Sequence, residues 1–481
     1  MDVLVIGAGP AGMAAAHAAR AAGATVRVLD ASDGTGGQYW RHLPASRPAA
    51  RERVLHHQWD RYRRLHQSLQ SDPGVTVSLE AHVWAIGQDD AGLTVHVSHG
   101  DVDGTGQRTE TLRPQRLVLA TGAHDRTLPV PGWTLPGVVT AGAAQALAKG
   151  ERLAIGERVV VAGSGPFLLP VTASLLQAGA SVVGVHEAAR PRRLAREWLA
   201  RPWELVGTTH KVSELAGYAG HQVRGRVPYR TGSAVVRIHG EGRVEGLTVA
   251  DVDDRWQPVA GTESEVSCDA VCLGHGFVPR LELAIAAGCG LTDQRFVAVD
   301  AHQRTTVAGV LAAGELTQIG GVDLALAEGE IAGWVAGGGD PSAAHLSRAR
   351  RARSRFRRFA DRIEAAHGIG PGWMRWLDDD TVVCRCEEVG YGTLTRVASD
   401  TSSVGLRSLK LTTRAGLGLC QGRVCGRTVE TILSAASGRG SVPFADHTST
   451  DRRPIAVPVR VGDLARPASP DVPSTSRKDP A

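Results

Sequence analysis

The spacing of apolar and polar positions changes several times along the chain, and each change marks an element. Residues 2–6, Asp-Val-Leu-Val-Ile, are a short apolar run of the kind buried on both faces of a parallel sheet. An alanine-rich helix is predicted over about 10–22, stopped by Gly23, and a second strand over 25–29 ends at Asp30. Residues 51–70 read as a polar helix. From 75 to 119 apolar and polar positions alternate between turns at 72–74 and 100–106, which predicts β-hairpins inserted into a doubly wound fold. A buried strand over 116–120 ends at Thr121-Gly122-Ala123. The first pattern then returns: strand 159–162, turn Gly163-Ser164-Gly165-Pro166, helix 167–177, and strand 181–185 with Glu187 just past its end. Residues 270–335 give short apolar strands, glycine turns and one helix.

Length and composition narrow the class. A chain of 481 residues exceeds one core and suggests about three domain-sized units. With 42% hydrophobic and 21% charged residues most of it is globular. A formal charge of +5 spread over this length does not build the dense basic face that nucleic-acid binding needs. No apolar run reaches a membrane span, and the N-terminus does not read as a signal peptide. Seven cysteines are too few for a disulfide scaffold and suit a reducing cytoplasm, where thiols stay available as ligands. After a hinge at 337–341, Arg348, Arg350, Arg351, Arg353, Arg355, Arg357 and Arg358 fall on one predicted helix. They are either a solvated face or a docking surface for an acidic partner. The Pro/Ser-rich tail beyond about 465 reads as loose.

The first chemical motif is Gly7-x-Gly9-Pro10-x-Gly12 between strand and helix, with Asp30 eighteen residues further on. The glycines permit a tight turn and let backbone N–H groups approach a pyrophosphate at a helix N-terminus; the acid can accept from a ribose hydroxyl. FAD and NAD both satisfy this pattern. Gly36-Gly37-Gln38 follows the second strand, and the run Leu311-Ala-Ala-Gly314-Glu315 precedes Gly320-Gly321-Val322 and a helix. With these the chain, over about residues 1–335, resembles the thioredoxin-reductase-like class of FAD-dependent pyridine nucleotide oxidoreductases. The resemblance implies FAD held by Gly7, Gly9, Pro10, Gly12, Asp30, Gly37, Gln38, Val83, Thr121, Gly122, Gly314, Glu315, Gly321 and Val322. Glu315 stands where that class usually has Asp, which keeps the carboxylate on a longer arm. No Cys-x-x-Cys occurs in this part, so the dithiol relay of thioredoxin reductases is excluded.

In the second glycine unit Leu168 takes the place of the third glycine, so the unit is expected to keep the fold, with NAD(P) binding left open. Cys384-x-Cys386 and, thirty-three residues on, Cys420-x4-Cys425 give four thiols in two close pairs, which suit a two-iron cluster or zinc. Cys268, Cys272 and Cys289 are expected to be buried and inert. The run of residues around the four thiols resembles the bacterioferritin-associated-ferredoxin type of [2Fe-2S] domain, which implies Cys384, Cys386, Cys420 and Cys425 as cluster ligands.

Taken end to end, including Ala123-His-Asp-Arg126-Thr-Leu-Pro-Val-Pro131-Gly-Trp133 and a tail segment around 453–465, the chain resembles the larger subunits of hydrogen cyanide synthase, opine oxidase and D-hydroxyproline dehydrogenase. The fold class expected is therefore α/β: a two-dinucleotide-binding-domain flavoprotein with doubly wound parallel sheets and β insertions, plus a small C-terminal α-rich [2Fe-2S] unit. The implied division is a split FAD-binding domain (1–125 and 270–340), an NAD(P)-binding-like domain (126–269), a basic helical linker (341–380), the cluster domain (381–440) and a tail (441–481). The resemblance implies one component of an oxidoreductase that acts on CH–NH or CH–NH2 donors. It would receive electrons from an amino-acid-oxidase-like flavoprotein subunit, with room for a further small subunit, and pass them to an acceptor. The complex would be cytoplasmic, or membrane-associated through its partners. Two other readings stay open: a self-contained NAD(P)H-dependent reductase feeding the cluster, and a non-enzymatic iron–sulfur scaffold.

Overall fold

The computed structural model of the chain describes residues 1–465 except 45, 48–51, 102–106, 206, 402–404 and 437–454. Most of the tail expected to be loose lies outside the described residues.

Two parallel five-stranded sheets carry the fold. In the first the order is Val310–Ala312, Arg116–Leu119, Val3–Ile6, Val26–Leu29, Val75–Ser78, every neighbour parallel. Val3–Ile6 is central and all four of its side chains are buried, as its unbroken apolar run demands. In the second sheet the order is Tyr229–Thr231, Ser181–Glu187, Arg158–Gly163, Ala270–Gly274, Val138–Thr140, again all parallel. Each sheet carries a three-stranded antiparallel insertion, Ala81–Asp89 with Gly92–His99 and Arg108–Leu112 in the first, Ser233–His239 with Gly246–Asp251 and Ser264–Ser267 in the second. The fold class is as expected from the sequence. Val75–Ser78 differs in detail, since it joins the parallel sheet instead of a hairpin.

Two helices of the first unit pack more closely than ordinary side chains allow. The helix Gly321–Ala336 lays glycines against the alanines of Pro10–Ala21. A Cβ on Gly329 would lie 2.2 Å from the Ala11 carbonyl oxygen, and one on Gly333 1.9 Å from that of Ala15. Glycine inside a helix normally costs about 1 kcal/mol relative to alanine; here the near contact of two backbones is what the helix needs. That contact brings both helix N-termini to the same edge of the sheet.

The arginine-rich segment is the helix Ser347–His367, and it is neither of the two things expected of it. Arg348, Arg351 and Arg358 face solvent, but the others are used within the chain. Arg353 donates to Gln303 Oε1 at 2.6 Å, Arg357 to Glu328 Oε1 at 2.7 Å, Arg355 to the Gly207 carbonyl at 3.1 Å and Arg350 to the Pro341 carbonyl at 2.6 Å. Glu328 is fully buried and also accepts from Gly314 N and Thr317 Oγ1. The helix is thus a strap across both sheets.

The C-terminal unit is α-rich, with helices Tyr391–Asp400, Leu406–Thr413 and Gly426–Ala436 beside a short hairpin. It shares one hydrophobic core with the second antiparallel insertion: Val383, Leu394, Leu409 and Ile432 belong to the cluster that holds Leu247, Val249, Trp133, Trp256, Trp373 and Trp376. Trp133 Nε1 donates to the Val382 carbonyl at 2.6 Å, and Trp376 stacks on Trp256 with ring centroids 6.0 Å apart.

Gly333→Ala is expected to destabilise the fold by about 1–3 kcal/mol through overpacking against a backbone oxygen that cannot move aside. Gly217→Ala, on the exposed helix Thr209–Arg224 where an added Cβ meets nothing within 4 Å, is expected to stabilise by about 0.5–1 kcal/mol. Urea midpoints of the two variants against the wild-type chain check the opposite signs.

Candidate functional site

The glycines of the first loop divide by what a side chain would strike. A Cβ on Gly7 (φ +105°) would lie 2.3 Å from the Ala120 carbonyl oxygen, and one on Gly12 1.7 Å from that of Gly7. Both are required by the close fit of strand, turn and helix. Gly9 has ordinary extended backbone (φ −74°) and a Cβ there would meet only Gly37 Cα, at 3.9 Å. Gly37 (φ +57°) faces it: a Cβ on Gly37 would come within 2.9 Å of Gly9 Cα. The two glycines are therefore the walls of an open cradle at the start of Pro10–Ala21. That helix has Pro10 in its first turn and neither a side-chain cap nor an acid there, so its end N–H groups stay available to an anion. Asp30 sits against the loop, accepting from Ala8 N at 2.5 Å and from Ser32 N at 2.8 Å.

Glu315, Gly321 and Val322 meet at the start of the glycine-faced helix. Glu315 Oε1 accepts from Gly321 N at 2.9 Å, and loss of water pushes its carboxyl up to about 7; nearby Glu328 pushes the same way. Gly314 takes φ +81° and donates its N–H to Glu328. Thr121 Oγ1 donates to the Arg280 carbonyl, and Arg280 N to that of Gly122. Gln38 is exposed and accepts from Arg41. The Val83 side chain lies in the core with Leu4 and Ile6, so only its backbone is available to a ligand. The open cradle, two converging helix N-termini and the two acids fit FAD.

The cysteines come together from two segments. Cys384 ends the strand Val382–Cys384 and Cys425 directly precedes the helix Gly426–Ala436; both are buried, whereas Cys386 is exposed. The thiols make a chain of contacts, 384 to 425, 425 to 420, and 420 to 386. The Cys425 thiol lowers Cys384 to about 6; with the Val424 and Gly422 N–H groups and Cys386 it lowers Cys420 to about 4. Gly416 N also points at Cys384 Sγ, 3.4 Å away. Such a set of thiolates and donors fits a thiophilic metal group. The thiols form a chain and not a shell about one point; among the described residues no group of three or more His, Cys, Asp or Glu is arranged to hold a metal ion. Cys268, Cys272 and Cys289 are buried, and burial raises each of them, Cys268 to about 11.

This loop abuts the first site. His124, two residues beyond Gly122, lies 3.2 Å through Nε2 from the Arg423 carbonyl, and Thr127 and Thr428 hydrogen-bond across the same seam. Arg423 pairs with Glu282 at 2.6 Å. No spacing in the sequence announces these contacts, which join residues about 140 to 300 positions apart.

The second glycine loop is closed from within. Glu187, fully buried, lies 2.8 Å from Ser164 Oγ and accepts from Gly165 N at 2.9 Å and Ala189 N at 3.1 Å. His367, the last residue of the arginine strap, sits on top: its Nδ1 is 3.5 Å from Glu187 and its carbonyl 2.7 Å from Ser164 Oγ. Burial works against the Glu187 charge, but His367, Gly165 and Ser164 outweigh it and hold the carboxyl below its usual range. The acid that a ribose would need is already spent on its own loop. Leu168 is buried and packs toward Gly274. Sequence reasoning found Glu187 and Leu168; it missed Ser164 and His367.

Gly9→Val is expected to remove FAD from the purified protein, read as lost flavin absorbance, with little change in thermal midpoint. Gly12→Val is expected to abolish folding, because its side chain enters backbone and not the cradle.

The family model for pyridine nucleotide-disulphide oxidoreductases matches residues 1–332. An opine oxidase subunit of Agrobacterium tumefaciens (strain Ach5) is 35% identical over 486 residues, covering 96% of this chain and 91% of that protein. Hydrogen cyanide synthase subunit HcnB of Pseudomonas aeruginosa is 31% identical over 458 residues, covering 91% and 94%. Among solved structures, L-proline dehydrogenase from P. horikoshii superposes with a TM-score of 0.65 at 20% identity, over 97% of this chain and 79% of that one. With the cradle and the two parallel sheets, these likenesses place the chain in the FAD-dependent pyridine nucleotide-disulphide oxidoreductase family, in the group that holds these opine oxidase and hydrogen cyanide synthase subunits.

Proposed function

We propose that the chain is the electron-transferring flavin and iron–sulfur subunit of a heteromeric dehydrogenase for amino or imino acids of the opine, D-hydroxyproline, proline or glycine type. A partner flavoprotein subunit, similar to amino-acid oxidases, would oxidise the CH–NH or CH–NH2 donor, and this chain would pass the electrons to an acceptor. The names of its relatives, subunits of opine oxidase and of hydrogen cyanide synthase, support a multi-subunit enzyme of this class. Among the described residues no helix is long and apolar enough to cross a membrane.

FAD exchanges electrons in pairs or singly, and a two-iron cluster exchanges them one at a time, so the two together would join a two-electron donor to a one-electron carrier. The chain's own residues supply the rest. Gly9 and Gly37 leave room for the pyrophosphate, Pro10–Ala21 offers its N–H groups, and Asp30 faces the ribose side. Glu315 and the start of Gly321–Ala336 flank the flavin end, where a helix N-terminus favours negative charge. Cys384, Cys386, Cys420 and Cys425 would hold the cluster. His124 and Thr127 keep the Cys420–Cys425 loop against the strand that follows Gly122.

The closed loop at Glu187 is the observation that favours this reading over a self-contained NAD(P)H reductase. A nucleotide would have to displace a buried, triply hydrogen-bonded carboxylate and the end of the strap helix. Anaerobic NADH is therefore expected to leave the flavin of the isolated chain oxidised, while substrate plus the partner flavoprotein bleaches it. Rapid bleaching by NADH alone overturns the reading.

Cys420→Ser is expected to remove the non-flavin visible absorbance and its electron paramagnetic resonance signal while full FAD content remains. A retained cluster signal would rule out the ligand assignment, and a colourless wild-type protein would favour the scaffold reading.

A further inference from the structure

Exposed large apolar side chains are mostly scattered singly over the described surface, which needs no explanation. Around the cysteines they are not. Leu411, Leu417, Leu419 and Val424 are all exposed within one short stretch, and Leu419, at 84%, is the most exposed large apolar side chain described. The stretch is held beside Cys386, the exposed thiol of the four: a Cβ on Gly418 would lie 2.3 Å from the Cys386 Cβ. Leu417 and Leu419 therefore flank the point where the thiol site reaches the surface.

The rim of this collar is cationic. Arg385 is exposed and lies over the Trp133 ring, 5.2 Å from its centroid, and the Arg414 side chain is 69% exposed in a pair with Glu387. An apolar centre with a polar rim is the anatomy of a protein interface. A second copy of this chain is a poor occupant, since a twofold contact would set the arginines against one another. An anionic membrane is also disfavoured: the collar lacks the Trp or Phe anchors and the basic amphipathic helix of interfacial binders.

We propose that this collar is the seat of the partner flavoprotein, whose facing surface has an apolar centre and an acidic rim, so that the Cys386 edge is enclosed in the interface. The proposal rests on the heteromer reading above.

The test uses the full chain with FAD bound and the amino-acid-oxidase-type flavoprotein encoded by the neighbouring reading frame. Leu417→Asp with Leu419→Asp is expected to raise the dissociation constant by about 30-fold or more, as loss of a central anchor does, with flavin content and visible spectrum unchanged. Leu199→Asp, equally apolar and 71% exposed but on the helix Pro191–Leu199, is expected to change nothing. If the double variant alters the spectrum, Leu419→Ser is measured in its place, with the same direction expected. Wild-type affinity in the collar variant overturns the surface and leaves the heteromer reading standing. A wild-type chain with no affinity for the flavoprotein overturns the heteromer reading itself. Loss in the variant of self-association, or of flotation with phosphatidylglycerol vesicles, in place of lost flavoprotein binding reassigns the collar and overturns the proposal.

Discussion

The near contact of two helix backbones governs the first half of the molecule. Gly329 and Gly333 let the helix Gly321–Ala336 approach Ala11 and Ala15 more closely than any side chain permits. Their position sets where both helices begin, and hence where two sets of unpaired N–H groups converge. Glu315, Asp30 and the Gly9–Gly37 cradle are arranged around that convergence. A looser pairing would still bury apolar surface, but it would separate the two electropositive ends. The glycines weaken the helix locally and gain the geometry of the site.

The parts of this arrangement that were legible in the sequence are local ones. Gly7-x-Gly9-x-x-Gly12 between a strand and an alanine helix announces its own turn, because each glycine answers to a neighbour a few residues away. The parallel sheets were legible too, from apolar runs such as 3–6 and 159–162 that no half-exposed strand carries. Paired cysteines at short spacing revealed themselves in the same way. What stayed hidden depends on distant partners. Nothing in the residues near Glu187 says that His367 will cover it. Nothing in the arginine run of 348–358 distinguishes a solvated face from a strap; Glu328, Gln303 and Gly207 decide that, and they lie on other elements. The sequence placed Val83 among the cofactor residues, but the structure leaves it only a backbone to offer.

The two glycine loops show how one architecture serves opposite ends. Both begin with a strand, a turn and a helix, and both have an acid after the next strand. In the first, Asp30 holds Ala8 and leaves the cradle between Gly9 and Gly37 clear. In the second, Glu187 is one carbon longer and reaches the Ser164 and Gly165 positions directly, acting as a built-in ligand. The loop keeps its shape because its donors are satisfied from inside.

Trp133, Trp256 and Trp376 have a consequence for how charge is moved. They fuse the cysteine-bearing unit to the sheet beneath it through one continuous core. Many redox chains rely on a tethered module that swings between stations, so that traffic waits on diffusion of the arm. A module sealed by stacked indoles cannot be such a shuttle; its spacing from the cradle is a constant of the fold. Turnover would then be paced by what arrives and departs at the outer faces, with no internal clock of its own.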